Sequence, residues 1–167
     1  MSRASTLCLA ALFATAAVPN SSEADEGRLR AALRGYSEVP AVSSTGMGRF
    51  TARVSEHGDA IEYELVYAGL EATAFASHIH LGQKDVNGGV IAFLCGGGGK
   101  PACPATEGTV SGTITAADVV GPAAQGIAAG EFGELLRAID AGVTYVNVHT
   151  DKHPGGEIRG QVKGGTD

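Results

Sequence analysis

The sequence has 167 residues and a formal net charge of −6 at pH 7, which suits one domain plus a processed end. This mildly acidic balance argues against nucleic acid and anionic membranes as partners.

The N-terminus predicts export. Arg3 precedes an apolar run at residues 7–18, and a polar, small-residue stretch follows, so residues 1–24 are predicted to be a signal peptide removed after Ala24. The run is shorter than the roughly 20 residues that span a membrane, and no other segment could cross one. We expect residues 25–167 to form one secreted or periplasmic domain.

Alternation of apolar and polar residues dominates the rest of the chain and predicts about eight strands with Gly-rich connections. The predicted strands are 28–35, 49–54, 60–67, 75–81, 89–94, 109–114, 143–150 and 157–162. A turn at 56–59, with Gly58 available for a positive φ, makes the second and third of them a hairpin.

One segment breaks this pattern. Phe132, Leu135, Leu136 and Ile139 are spaced as on one helix face, and Gly142 can end the helix, so a short helix is predicted near 131–141. Residues 115–118 are predicted to form a capped helical turn. The fold class is all-β, a Greek-key β-sandwich or flattened barrel with one short helix.

Cys95 and Cys103 flank the loop CGGGGKPAC, while Cys8 lies in the predicted signal peptide. In an oxidising compartment, a pair this close most simply forms a disulfide. The alternative is a pair of thiolate metal ligands, but the spacing is not CxxC and a tetraglycine is a poor template for rigid ligation.

Histidines offer the most specific chemistry. His78 and His80 are two residues apart on one strand, so their side chains share a face. His149 ends a later strand and His153 follows after a turn, so adjacent strands would bring three or four imidazoles together. Such a cluster suits Cu, Zn or Ni, and metal affinity is expected to fall as the pH drops through about 6.5.

The histidine side of both strands lies opposite the bulky apolar side, which predicts a site on the outer face, under loops but accessible to metal. The alternative is that these histidines are ordinary polar positions. Asp151, Glu157 and Arg159 are expected to form a surface salt-bridge set rather than a catalytic one. No GxSxG, P-loop or GxGxxG motif is present, and a conventional enzyme is not expected.

Five segments resemble, in order, the CHRD (chordin-type) domain family. They are LRGYSEVPAVSSTGMGRF, LVYAGLEATAFASHIHLG, NGGVIAFLC, GTITAADV and YVNVHTDKHPGGEIRGQV, and together they span about 29–162. The resemblance implies that 25–167 is an extracytoplasmic β-sandwich of the single-domain microbial type. It does not imply growth-factor binding, because the cysteine-rich modules that carry that activity in chordin are absent here.

The segments ASHIHLG and VNVHT…GGEIRG are also similar to copper–zinc superoxide dismutases. That similarity implies that His78, His80 and His149 match copper-ligand positions outside a Greek-key barrel. A separate zinc subsite is not found, and Glu157 or Ile158 stands where that family has its active-site arginine. These departures argue against dismutation.

Three functions stay open at this point. The first is a secreted binding or structural module that holds Cu or Zn through His78, His80, His149 and His153, with an unidentified extracellular ligand or protein as partner. The second is a copper-dependent redox enzyme of the dismutase type. The third is a metal-free structural or adhesive domain.

Overall fold

The alternating segments fold into nine antiparallel strands. The structure, a computed structural model, describes residues 27–164, so the predicted signal peptide at 1–24 lies outside the described residues. The strands are β1 (Arg28–Arg34), β2 (Met47–Val54), β3 (Ala60–Ala68), β4 (Ala74–Leu81), β5 (Val90–Cys95), β6 (Gly108–Thr115), β7 (Thr144–Thr150), β8 (Ile158–Gln161) and the two-residue β9 (Lys163–Gly164).

The strands form one sheet in the order β5-β4-β7-β8-β1-β2-β3-β6, with β9 beside β1. The end strands β5 and β6 contact each other, so the sheet is nearly closed into a barrel. Around this barrel β7 returns beside β4 after the run β4-β5-β6, which is a Greek-key arrangement. The predicted all-β fold is therefore confirmed.

One helix, α1 (Phe132–Asp140), precedes β7 and confirms the helix predicted near 131–141. Leu135 and Ile139 on its apolar face are buried in the core. The helix ends at Gly142, whose N–H donates to the carbonyl of Ile139 at 2.9 Å and whose φ is +68°. Within residues 27–164, no helix is both long and apolar enough to cross a membrane.

Burial differs sharply between the two halves of the barrel. In β1 and β3, exposed and buried residues alternate, as expected for a sheet with one face in solvent. In β7, every residue is buried, and β4 is buried at all but its second and last positions. The outer face of β4 and β7 is therefore covered by other segments of the chain.

Cys95 ends β5 and is joined to Cys103 by a disulfide with a Cα–Cα distance of 5.1 Å, as predicted. The loop between them reaches from β5 toward β6. There Lys100 donates from Nζ to the carbonyl of Thr113 at 2.6 Å and pairs with Asp118 at 2.7 Å. The loop thus connects the two end strands of the sheet.

Replacing both cysteines in the variant Cys95→Ala/Cys103→Ala is expected to lower the free energy of unfolding by about 2–3 kcal/mol, because the closed loop is short. Urea denaturation of the oxidised wild type and of the variant measures this difference. Wild type reduced before unfolding serves as the control and should match the variant. Equal stability of the oxidised and reduced wild type would contradict the expectation.

Candidate metal centre

Three histidines meet on the outer face of the β4–β7 pair. His78 lies opposite Asn147 and His80 opposite Tyr145, while His149 lies diagonally from His78. Ring centroids are 5.3 Å apart for His78 and His80, 4.8 Å for His78 and His149, and 6.0 Å for His80 and His149. One potential ligand atom from each ring lies within 4.8 Å of the other two.

The cluster lies opposite the core, as predicted, but it is not openly accessible. His78, His80 and His149 are only 8%, 7% and 8% exposed. The segments 82–89 and 151–157 contact the rings of His80 and His149, and Phe93 contacts His78 with ring centroids 4.5 Å apart. The loops over the outer face agree with the prediction, but they cover the rings more completely than expected, and this burial corrects the expectation of an accessible site.

Two of the rings have a defined tautomer. His80 Nδ1 lies 2.9 Å from the carbonyl oxygen of Gly88, and His149 Nδ1 lies 2.9 Å from that of Pro154. A carbonyl oxygen can only accept, so each Nδ1 carries the proton and each Nε2 keeps a free lone pair. Metal-binding histidines are commonly fixed by such a bond from the second ring nitrogen.

Three ring nitrogens lack a hydrogen bond of normal geometry among residues 27–164. They are His78 Nδ1, His80 Nε2 and His149 Nε2, all of them buried, although the Asn147 side chain lies beside His80. Burying a polar atom without a partner destabilises a fold by about 1–3 kcal/mol, so three such atoms would lower the free energy of unfolding of a small domain substantially. A purely structural polar network would instead join these atoms to one another or to neighbouring groups.

Burial also sets the charge of the cluster. It lowers the pKa of His78 to about 3, with the neighbouring His149 and His80 acting in the same direction. Burial likewise lowers the pKa of His80 to about 4 and lowers the pKa of His149. All three imidazoles are therefore neutral at pH 7, which is the form that ligates metal.

The covering segment 82–89 depends on a glycine at its end. A Cβ on Gly88 would lie 1.6 Å from the carbonyl oxygen of Leu81, so any larger residue would push this backbone away. Glycine at this position lets the Gly88 carbonyl come close enough to accept from His80.

Arg159 on β8 hydrogen-bonds to segment 82–89. Its guanidinium donates to the carbonyls of Val86 at 2.8 Å and Gln83 at 3.2 Å, and to Asn87 Oδ1 at 3.1 Å. It also lies 3.4 Å from the ring centroid of Tyr145, and that ring stacks parallel to His80 at 4.7 Å. The side chain that orients segment 82–89 thus also supports a ring of the cluster.

Glu157 ties together three other parts of the chain. Its carboxylate accepts from Ser44 Oγ at 2.6 Å, from the backbone N–H of Glu71 at 2.8 Å and from Thr150 Oγ1 at 2.8 Å. Glu157 is 0% and Arg159 2% exposed. The expected surface salt bridges among Asp151, Glu157 and Arg159 are therefore wrong, because Glu157 and Arg159 are buried and hydrogen-bond to segments distant in sequence.

Glu38 lies near the cluster, and no pattern in the sequence predicted its position there. It is buried beside Asn147 and Arg159, and burial raises its pKa to about 7 although Arg159 opposes this shift. A Cβ on Gly156 would lie 2.3 Å from Glu38 Oε1, so the turn after β7 passes directly over the carboxyl group. An isolated glutamate in a loop gives no hint of such burial.

His153 and His57 lie away from the cluster. His153 Nε2 is 3.5 Å from Glu71 Oε2, a carboxylate that also pairs with Lys152. The structure therefore does not bring His153 to the three rings, because β7 ends at Thr150 and the turn directs His153 toward Glu71. His57 lies in the β2–β3 hairpin turn and is exposed.

Fold and site together define a Greek-key, all-β domain with a three-histidine cluster under loops on its outer face. The family model described as the CHRD domain matches residues 29–162. The chain belongs to the CHRD domain family. Searches of curated proteins and of solved structures found no match.

Proposed function

We propose that this CHRD-domain protein binds one transition-metal ion, Cu or Zn, through His78, His80 and His149. The observation that carries the proposal is that each of the three buried rings offers a nitrogen within 4.8 Å of the other two, and each has one buried nitrogen without a hydrogen bond among residues 27–164. Two of these nitrogens belong to rings whose other nitrogen is anchored by a backbone carbonyl.

The donor set fits this class of metal. Neutral imidazoles suit Cu and Zn, whereas Ca and Mg require oxygen ligands that the group does not offer. Two nitrogens at 2.0–2.1 Å from one ion are at most about 4.2 Å apart, so potential ligand nitrogens that now lie within 4.8 Å of one another need only a small inward movement. A bound ion would supply Lewis acidity or, for copper, redox chemistry.

A binding role is favoured over redox catalysis of the dismutase type. Arg159, the cation nearest the cluster along β8, is already engaged by segment 82–89 and Tyr145. Among residues 27–164, no second group of histidine, cysteine or acidic ligands accompanies the three histidines. The metal-free structural alternative is weakened by the cost of the three unpaired nitrogens.

We place this function outside the cytoplasm. Support comes from the signal-like residues 1–24 and from the Cys95–Cys103 disulfide, which is typical of an oxidising compartment. The partner in that compartment is an extracellular ligand or protein.

Calorimetric titration of EDTA-treated protein tests the proposal. We expect one equivalent of Cu(II) or Zn(II) to bind, and no binding of Ca(II) or Mg(II) in matched titrations. A superoxide assay of the copper-loaded protein then separates a binding module from a dismutase. Absence of binding by both Cu(II) and Zn(II) would leave the metal-free structural domain as the better description.

A further inference from the structure

Half of the chain's 12 lysines and arginines lie on one sheet face, although the net charge is −6. We call this face the basic strip, and its members are Arg28, Arg30, Arg34, Arg49, Arg53 and Lys163. All six are exposed and lie on β1, β2 or β9. Their placement follows from alternation, since every second residue of β1 points away from the core.

Strand pairing sets like charges directly against each other in this strip. Arg28 is opposite Arg53 in the β1–β2 register, and Arg30 is opposite Lys163 in the β1–β9 register. Like charges in such positions destabilise a sheet. Exposed positions on this face would accept any polar residue, so the fold itself gives no reason for two such pairs.

Few carboxylates neutralise the strip. Glu62 on β3 faces Arg53 across the β2–β3 pair. Among residues 27–164, however, no carboxylate oxygen lies within 4 Å of a guanidinium nitrogen of Arg28, Arg49 or Arg53. The strip therefore carries a net positive charge on an otherwise acidic protein.

Two adjoining clefts follow the strip. The larger, about 780 Å³, lies where β1 and β8 part, and its charged lining includes Arg30, Arg49, Lys84 and Lys163 with one carboxylate, Asp85. A second cleft of about 510 Å³ shares Arg30 and Arg49 with the first and continues to Arg53. The continuous track suits an elongated ligand better than a single small anion.

The lining indicates the chemical class of that ligand. From Arg28 to Arg34 the strip runs roughly 20 Å along β1, with Arg28 and Arg30 about 6.6 Å apart and Arg34 about 13 Å beyond Arg30, because Ala32 lies between them. Tyr36, which is 74% exposed, lines the larger cleft together with Ser37 and Gln161, whose polar groups can hydrogen-bond sugar hydroxyls.

We propose that the basic strip binds a linear acidic polysaccharide, whose carboxylate or sulfate groups pair with the strip while its hydroxyls contact the larger cleft. A membrane or a nucleic-acid duplex fits less well, because the acidic surface outside this narrow strip repels a broad anionic partner. Single-stranded nucleic acid would need a row of aromatic rings for base stacking, whereas Tyr36 is the one aromatic residue in the larger cleft's lining. This proposal is independent of the metal centre.

Binding is tested with disulfide-bonded, EDTA-treated protein and three immobilised polymers: polygalacturonate, dextran sulfate and neutral dextran. We expect binding to at least one acidic polymer, none to dextran, and clear weakening between 50 and 200 mM NaCl. The first two polymers distinguish carboxylate from sulfate as the preferred group. Absence of binding to both would overturn the proposal.

Charge-matched variants make the test specific. Arg28→Gln/Arg49→Gln should weaken binding more than tenfold, and Arg53→Gln/Lys163→Gln should do the same. Arg137→Gln/Lys152→Gln removes the same charge elsewhere and should change binding less than twofold. Thermal melting should show Arg28→Gln/Arg49→Gln at least as stable as the wild type, because it relieves the repulsion between Arg28 and Arg53. Arg53→Gln/Lys163→Gln should melt close to the wild type, because it relieves two like-charge pairs but also loses the pairing of Arg53 with Glu62. Equal losses in strip and control variants, or tighter binding to duplex DNA or phosphatidylserine vesicles, would overturn the assignment.

Discussion

Replacing His80 or His149 with alanine is expected to weaken Cu(II) binding more than tenfold. Each change removes one of the three proposed ligands and also frees the backbone carbonyl that accepts from that ring, at Gly88 or Pro154. Loss of an anchored ligand costs both a metal bond and the preorganisation of the loop that holds it. Competition titration with a chelator of known copper affinity measures the change.

Two other histidines serve as matched controls. His57→Ala should leave copper affinity unchanged, because His57 is exposed in a hairpin turn. His153→Ala should change it less than twofold, since His153 faces Glu71 and not the cluster. A tenfold loss in His153→Ala would mean that this residue reaches the ion and that the three-ligand site is incomplete.

The variant His78→Leu separates a metal-binding role from a structural one. His80 and His149 each donate from Nδ1 to a backbone carbonyl. The buried Nδ1 of His78 makes no such hydrogen bond within residues 27–164. An apolar replacement therefore removes an unpaired polar atom, so the metal-free variant should be at least as stable as the wild type at pH 7 while losing copper binding. Strong destabilisation of His78→Leu would instead identify a structural network.

The metal-free protein is expected to lose stability as the pH falls below 6.5. Burial holds the pKa of His78 at about 3 and that of His80 at about 4, below the ordinary value of 6.5, so the unfolded chain binds more protons in between. Their contribution to stability is complete above pH 6.5 and declines on acidification, by about 2 kcal/mol per histidine at pH 5. Urea denaturation between pH 7.5 and pH 5 measures this decline.

Glu38 opposes this trend. Burial raises its pKa to about 7 from 4.5, so the folded protein binds the extra proton and its contribution favours folding on acidification between those values. Glu38→Gln should therefore make the acid-induced loss steeper, whereas His78→Leu should make it shallower and His57→Ala should not alter it. A flat stability profile in the wild type from pH 7.5 to pH 5 would refute the assignment of neutral, buried histidines.

These shifts also change the expected pH dependence of metal affinity. An ordinary histidine competes with protons near pH 6.5, which is the dependence that the sequence predicts. In the folded protein, protonation of His78 and His80 is displaced to lower pH, so copper affinity should persist to about pH 5.

Local patterns in the sequence predicted most of the fold. Alternation over 60–67 corresponds to β3 (Ala60–Ala68), and the helical spacing near 131–141 corresponds to α1 (Phe132–Asp140). Each element has one buried and one exposed face, so apolar and polar residues follow a regular pattern in its local sequence. The convergence of His78, His80 and His149 required only that β4 and β7 be neighbours.

What the sequence concealed depends on contacts between distant residues. Glu157 meets Ser44, which is 113 positions away, and Arg159 meets Val86, which is 73 positions away. A charged residue near a Gly-rich turn resembles a surface residue until such partners are known. The basic strip was hidden for a related reason, because a net charge averages over faces and the Arg28–Arg53 pairing joins two strands.

The loop closed by Cys95 and Cys103 has a further consequence for solubility. The strands β5 and β6 contact each other but are the two ends of the hydrogen-bonded sheet, and an uncovered end strand can recruit strands from other molecules. Lys100 holds the Thr113 carbonyl on β6 from within that loop, and lysine at an edge discourages intermolecular strand addition. We therefore expect the disulfide, by holding this loop against β6, to disfavour edge-to-edge association of the protein.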